Sequence, residues 1–161
     1  LTAMGIAPEQ GPMISSASMG GTLVPTAALS DPDAFGGMIT RVGIVNATRI
    51  AAAENGANQF AEIGNPDDPQ QFRDLVAMDA YQMIPAAAPP VPTMMVVGLN
   101  DRRVAPWMTA KWVARARAKW PEAPIYMRGD ADAGHGVGSA EEVRRSEAAD
   151  LYAFAWAQQS R

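Results

Sequence analysis

A short, almost continuous apolar run near the middle of the chain constrains the fold more than any other feature. Residues Thr93 to Gly98 include two methionines and two valines, and Asn100 and Asp101 end the run. A run of this length without polar alternation is typical of a strand covered on both faces, as in a parallel sheet. Because parallel strands need long crossover connections, usually helices, the run predicts an α/β fold.

Three further apolar segments complete this architecture. They predict strands at Gly11 to Ser15, at Met38 to Asn46 and at Pro124 to Met127. Helical patterns separate the strands, and crossovers between parallel strands are right-handed. The sequence therefore predicts one α/β domain over residues 1–161, with about four mainly parallel strands flanked by helices.

The helical segments carry their own boundary signals. The first helix is expected to run to about Ser30, with a kink or a late start at Pro25, because proline is tolerated only in the first turn. Pro106 can open a later helix, and Ser139 with Glu142 forms a capping box before the last one. The apolar faces of these two helices are expected to be Trp107, Ala110, Val113 and Ala114, and Val143, Leu151, Phe154 and Ala155.

The segment from residue 47 to residue 82 departs from this alternation of strands and helices. It combines a polar loop, a turn-rich stretch from Gly64 to Pro69 and the pattern of a short helix through Phe72 and Leu75. We interpret it as a cap or excursion from the sheet.

Composition excludes several classes of function. The net charge of -4 and the pI near 4.9 do not provide the basic surface that nucleic-acid binding requires. No run reaches the roughly 18 apolar residues of a membrane span, and no export signal is visible. We therefore expect neither nucleic-acid nor membrane partners and favour a cytoplasmic location.

Because the chain has no cysteine, a nucleophile must be a serine, a threonine, a lysine or a carboxylate.

Three polar residues follow predicted strands, where reactive groups of open α/β sheets collect. Ser18 lies between a strand and a helix beside the small residues Gly20 and Gly21, which permit a sharp nucleophile turn. Asp101 follows the third strand, and His135 follows the fourth in a glycine-rich loop. The order serine, aspartate, histidine and the strand-end placement match the triad of α/β-hydrolases.

The roles of these residues follow from proton chemistry. A serine hydroxyl attacks a carbonyl poorly until an imidazole accepts its proton, which is the role expected of His135. Asp101 would hold the imidazole in the required tautomer, and the backbone N–H of Met19 would stabilise the oxyanion. Each residue also has a structural interpretation: Ser18 in a helix N-terminus, Asp101 in an ordinary turn, and His135 as a solvated side chain.

We expect no metal and no cofactor. Asp130, Asp132 and Glu141 have the spacing of calcium ligands, but the position that requires glycine in such a loop is His135.

The chain also resembles the catalytic domain of the prolyl oligopeptidase family of serine peptidases, from Ser18 to the last helix. The supporting segments, in the order of the family, are Ser18-Met19-Gly20-Gly21, Pro32-Asp33-Ala34-Phe35-Gly36, Glu62-Ile63-Gly64, Asp101-Arg102-Arg103-Val104-Ala105-Pro106, Ala133-Gly134-His135-Gly136 and Glu147-Ala148-Ala149-Asp150-Leu151-Tyr152. The resemblance implies the C-terminal half of an α/β-hydrolase fold, without the β-propeller of the family. It also implies the triad Ser18, Asp101 and His135.

The resemblance further implies substrate contacts at Gln59, Arg103 and Val104, with Arg103 bonded to a peptide carbonyl of the substrate. The alternative for Arg103 is a structural ion pair. The family commonly has glycine at Ser16, asparagine at Met19 and, near Gln59, a tryptophan that stacks on the substrate proline. An amide supplies no such apolar face, so proline specificity does not follow from the resemblance.

The same resemblance leads us to expect either a fragment or a minimal hydrolase whose native start lies upstream or at Met4, because the first four strands of the family's sheet would precede Leu1. The strand before Ser18 would then be an edge strand, which favours a homo-oligomer or pairing with the missing N-terminal half. The second oxyanion donor would also be missing, and losing one donor costs about 10²- to 10³-fold in rate. We therefore expect the isolated chain to hydrolyse short-chain esters, with short peptides as the alternative substrates and a catalytically weak or inactive interaction fragment as the other alternative.

Overall fold

The computed structural model describes residues 2–136 and 140–160. A four-stranded sheet forms its centre, with the strands in sequence order and all neighbours parallel. The strands are β1 (Met13–Ala17), β2 (Gly37–Arg41), β3 (Thr93–Gly98) and β4 (Ile125–Asp130). The sheet and its flanking helices confirm the predicted α/β class.

Helices connect the strands and cover both faces of the sheet. The α-helices are α1 (Val24–Ser30), α2 (Phe60–Ile63), α3 (Pro69–Ala77), α4 (Ala80–Met83), α5 (Trp107–Lys119) and α6 (Glu141–Gln159). Short 3₁₀ helices are found at Thr2–Met4, Ser18–Thr22, Pro32–Ala34, Ala47–Ala52 and Gly56–Gln59. The predicted excursion is the region from Ala47–Ala52 to α4, which contains only short helices.

The two faces of the sheet are covered to different extents. One face packs on α1, α5 and the excursion, around wholly buried side chains such as Met38, Met95 and Trp112. The other face packs mainly on α6, through a small cluster of Ile39, Met94, Val96 and Phe154. β3 contributes to both clusters and is buried along its whole length. Burial on both faces explains why its sequence is an almost continuous apolar run.

Three strands differ in their bounds from the prediction: β1 lies further along the chain, β2 is shorter, and β4 continues past Met127 to Asp130. β1 begins at Met13 and continues to Ala17, and β2 ends at Arg41 instead of Asn46. The strand ends there because Val42 has a positive φ of 44°, which an extended strand cannot accommodate. The N–H of Val42 still donates to Val96 O at 2.7 Å, but the following chain turns towards Ser18.

The helices show one confirmation and one correction. α1 starts late, at Val24, with Pro25 in its first turn. In α5 the predicted face is wrong at Ala110 and Ala114, which are exposed. The buried face is instead Met108, Thr109, Trp112, Val113 and Ala116. The large Met108 and Trp112 side chains decide the helix orientation, because an alanine buries little apolar area.

The last helix begins at Glu141, and its N-cap residue is Ala140. The predicted capping box depends on Ser139, which lies outside the described residues. Phe154 is buried, and Val143, Leu151 and Ala155 are half-buried, as expected for the apolar face of α6. Among the helices of residues 2–136 and 140–160, none combines the length and the apolar character that crossing a bilayer demands.

Candidate active site

Ser18 lies directly after β1 in a strained backbone conformation. Its φ is 55°, in the left-handed region that non-glycine residues rarely adopt and that is found at functional sites. The Ser18 carbonyl accepts a hydrogen bond from the N–H of Ile44 at 2.9 Å. Gly21 packs so closely on this segment that a Cβ there would collide with the backbone of Gly43 and Ile44. The small residues around Ser18 therefore make this turn sterically possible.

Asp101 follows β3 and is almost completely buried, with 1% of its side chain exposed. Its Oδ1 accepts the backbone N–H groups of Arg103 at 2.8 Å and Val104 at 2.9 Å. Its Oδ2 lies 2.7 Å from Nδ1 of His135. One carboxylate oxygen thus shapes the turn, and the other is available to the imidazole.

His135 is carried by the loop after β4, which crosses the end of β3 at close range. A Cβ at Gly98 would collide with the carbonyl groups of Ala133 and Gly134. The N–H of Asn100 donates to Ala133 O at 3.0 Å, and its side-chain amide donates to Ala131 O at 2.8 Å. These contacts fix the loop against the β3 end, so that His135 reaches across to both Asp101 and Ser18.

The three side chains form one hydrogen-bonded path. Nε2 of His135 lies 2.9 Å from Oγ of Ser18, and the imidazole is 11% exposed. Because an ionised carboxylate only accepts hydrogen bonds, Nδ1 carries the proton that faces Asp101. Nε2 is then free to accept the proton of the Ser18 hydroxyl, so the arrangement can activate that oxygen as a nucleophile.

Met19 follows Ser18 in the first turn of the 3₁₀ helix Ser18–Thr22. The first N–H groups of a helix have no partner inside the helix and carry a partial positive charge. The backbone of Met19 is therefore suited to donate to an oxygen beside Ser18.

A mainly polar cavity of about 320 Å³ opens next to Ser18 and Met19. The three residues that the sequence suggests as substrate contacts all line it. Arg103 is exposed there, whereas Val104 is only 3% exposed. The complete lining is Ser18, Met19, Asn55, Asn58, Gln59, Glu62, Arg103 and Val104.

Sequence reasoning missed the polar side chains that Asn55, Asn58 and Glu62 bring to this cavity. They belong to the excursion, of which the resemblance points only to Gln59 as a residue beside the substrate. Gln59 also has a contact that the sequence does not suggest. Its Nε2 donates to the backbone carbonyl of Arg103 at 2.9 Å.

Asp130 ends β4 and shapes the start of the His135 loop. Its Oδ1 accepts the N–H groups of Asp132 at 3.0 Å and Ala133 at 3.2 Å. Across the part of the chain that the structure describes, no three His, Asp or Glu side chains are grouped as metal ligands would be.

A second buried carboxylate, which the sequence did not reveal, lies at the N-cap of α4, near the end of the excursion. Asp79 is 0% exposed. It accepts hydrogen bonds from the Asn46 amide at 2.9 Å and from the N–H and hydroxyl of Thr48 at 2.8 and 2.6 Å. The N–H groups of Tyr81 and Gln82 donate to its other oxygen at 2.9 and 3.1 Å. This network ties α4 to the segment that follows β2.

Known proteins are similar to this chain in sequence and in fold. The chain is 33% identical over 148 residues to a prolyl oligopeptidase of Omphalotus olearius, an alignment that covers 88% of this chain and 20% of that protein. It is 31% identical over 145 residues to prolyl oligopeptidase A of Amanita bisporigera, with 88% and 19% covered. The chain thus spans about a fifth of the length of these curated relatives.

Structural similarity agrees with the sequence similarity. A solved prolyl endopeptidase superposes with a TM-score of 0.84 at 26% identity, over 93% of this chain and 23% of that chain. A family model described as the prolyl oligopeptidase family matches residues 2–160. The chain therefore belongs to the prolyl oligopeptidase family.

Proposed function

We propose that this chain carries the catalytic centre of a serine peptidase that cleaves short peptides through an acyl-enzyme at Ser18. The observation that carries the proposal is the unbroken path from Asp101 through His135 to Ser18, with distances of 2.7 and 2.9 Å. Hydrogen bonds of this length meet the geometric requirement for proton transfer between a nucleophile and its base.

The proposed reaction uses each group in turn. His135 Nε2 takes the hydroxyl proton as Ser18 Oγ attacks the substrate carbonyl, and Asp101 stabilises the resulting imidazolium. The Met19 N–H donates to the oxyanion of the tetrahedral intermediate. The imidazolium then gives its proton to the leaving amine, and a water molecule activated by His135 hydrolyses the acyl-enzyme.

Family membership favours a peptidase over a carboxylesterase. The relatives described above are named as prolyl oligopeptidases and a prolyl endopeptidase, and none of these names specifically supports an ester substrate. Ester hydrolysis by the isolated chain remains a prediction that follows from the oxyanion site. If Met19 is the only donor there, amides with poor leaving groups should react more slowly than activated esters.

The cavity beside Ser18 supports a polar rather than a prolyl residue on the acyl side of the cleaved bond. Amide groups, Glu62 and Arg103 line it. Gln59 lies near the place where the resemblance implies a tryptophan. We propose that Arg103 donates to a peptide carbonyl of the substrate, because its exposed guanidinium offers several N–H groups beside the nucleophile.

The test combines a mechanism-based probe with a substrate. A fluorophosphonate should label Ser18 in the unaltered chain, and a short-chain aromatic ester should be hydrolysed, with both reactions lost in Ser18→Ala. Equal rates for the two chains would contradict the proposal. They would favour the alternative of an inactive interaction fragment, which keeps these residues without activating the serine.

The predicted association of this chain also stays a prediction. β1 lies at one edge of the sheet, and Tyr152 and Trp156 on α6 are 74% and 76% exposed. An unpaired edge beside exposed aromatic side chains favours self-association or pairing with an N-terminal half. Light scattering after gel filtration would give the stoichiometry, and a monomer at all concentrations would contradict self-association.

A further inference from the structure

The side chain of Gln59 connects the excursion to the turn that holds the acid of the candidate triad. Its Nε2 donates to the carbonyl of Arg103 at 2.9 Å, and the Asn55 amide approaches the same carbonyl at 3.4 Å. Because the acceptor is a backbone carbonyl, only the amide nitrogen of Gln59 can face it. The orientation of the Gln59 amide is therefore determined.

Arg103 is held on both sides of its backbone. Its carbonyl accepts from Gln59, and its N–H donates to Asp101 Oδ1 at 2.8 Å. The other oxygen of Asp101 lies 2.7 Å from His135 Nδ1. A continuous set of hydrogen bonds thus runs from Gln59 through one residue of backbone to the carboxylate and the imidazole.

We propose that Gln59 is a positioning residue, which fixes the turn after β3 and so holds Asp101 in line with His135. The proposal rests on the proposed function, because the alignment matters only if the Asp101 to Ser18 path is catalytic. It assigns to Gln59 a role inside the protein, in place of the substrate contact that the family resemblance implies for this residue.

The surroundings of the turn explain why an anchor is needed. Arg102 and Arg103 are exposed, whereas the carboxylate that their turn orients is almost fully buried. An exposed turn without an anchor would exchange its carbonyl contact for water and gain conformational freedom. Catalytic groups need to stay within about 0.5 Å of their productive geometry, so small movements of this turn would lower the rate.

The test uses Gln59→Leu, which removes the amide but keeps much of the side-chain volume. The substrate is an aromatic ester of acetic acid, and the probe is a small fluorophosphonate. Their small acyl and phosphonyl groups make few contacts with the cavity, so a change in rate reports the alignment of Asp101, His135 and Ser18. We expect kcat and the labelling rate to fall roughly 3- to 10-fold, the value of one hydrogen bond, with KM for the acetate unchanged. Gln70→Leu, on the exposed surface of α3, makes the same chemical change and should leave both rates unaltered.

A second readout does not depend on turnover. His135 is the only histidine in the chain, so ¹⁵N-labelled histidine gives a single imidazole spectrum. We expect Gln59→Leu to shift the Nδ1 resonance towards that of an imidazole with a weaker carboxylate bond, and Gln70→Leu to leave it in place. A merely structural role for Gln59 would lower stability without moving this resonance in the folded protein.

The outcomes separate the two proposals. If the unaltered chain is neither labelled nor active, the proposed function fails, and the imidazole spectrum still reports whether Gln59 positions Asp101. An unchanged spectrum with unchanged rates in Gln59→Leu would overturn the positioning role, as would a change confined to KM for longer peptides. If Gln59→Leu does not fold, Gln59→Met decides the question in the same way, since it also removes the amide, keeps the length of the side chain and adds no charge.

Discussion

Two buried aspartates in this molecule have the same local geometry and opposite uses of their second oxygen. In Asp79 and in Asp101, Oδ1 accepts the backbone N–H groups of the residues two and three positions later. This arrangement is the ordinary way in which an aspartate shapes a turn or helix start. It does not by itself distinguish a structural carboxylate from a catalytic one.

The second oxygens differ in their partners. Among the residues that the structure describes, the donors to Oδ2 of Asp79 are neutral groups of Asn46 and Thr48, which are themselves buried. Oδ2 of Asp101 faces His135, which can gain and lose a proton and reaches Ser18. A carboxylate whose two oxygens are both bonded to fixed neutral donors can only stabilise the fold. A carboxylate with a titratable partner can also take part in proton transfer.

The largest effect is expected from Asp101→Asn, which tests the catalytic side of the comparison. The amide oxygen can still accept the turn N–H groups, but the new NH₂ group would favour the wrong tautomer of His135. A substitution of this kind lowers kcat by about 10⁴-fold in serine hydrolases. Ester hydrolysis and the thermal midpoint should be measured together, and a large loss of both would mean that Asp101 is mainly structural.

Asp79→Asn should lower the stability of the protein instead of its activity. The carboxylate accepts five hydrogen bonds, and the substitution replaces one of its oxygens by an NH₂ group that faces donors. We expect the free energy of unfolding to fall by about 3 kcal/mol. The activity per folded molecule should stay unchanged. Urea denaturation measures the first quantity, and active-site labelling corrects the second for the folded fraction. A stable variant that has lost activity would refute the structural role.

Thr48→Val is a smaller version of the same test. It keeps the side-chain shape and removes the hydroxyl that donates to Asp79 Oδ2 at 2.6 Å. We expect a loss of about 1 to 3 kcal/mol in unfolding free energy, because the hydrogen bond is buried and its acceptor is charged. Combined with Asp79→Asn, the loss should be smaller than the sum of the two, since both changes act on one network. Strict additivity would argue against a shared network.

The strands and the approach of the three candidate catalytic residues were predictable from the sequence in part. The bounds of β3 were predictable because a strand buried on both faces leaves a plain apolar signal. The approach of Ser18, Asp101 and His135 was predictable in outline, because the carboxyl ends of parallel strands meet at one edge of the sheet.

The remainder depends on contacts that no local pattern records. Asp79 and Asn46 are far apart in the chain, and their contact exists only because the excursion returns to the segment after β2. The bond between Gln59 and Arg103 has the same origin. The orientation of α5 depends on the large side chains Met108 and Trp112 that fill the core. The spacing of Ala110 and Ala114 therefore did not predict which face of the helix is buried. Long-range packing, not secondary structure, limited the prediction of this site.

The smallest expected effect is an unchanged pH profile in Asp79→Asn. Activity of the unaltered chain should rise as His135 loses its proton, because only the neutral imidazole can accept the Ser18 proton. Since the donors to Asp79 are neutral groups, its substitution should alter the amount of folded protein but not the shape of this profile. Initial rates between roughly pH 5 and 9, normalised to labelled sites, would show this. A flat profile in the unaltered chain would contradict His135 as the base, and a displaced profile in Asp79→Asn would show that the two carboxylates are coupled.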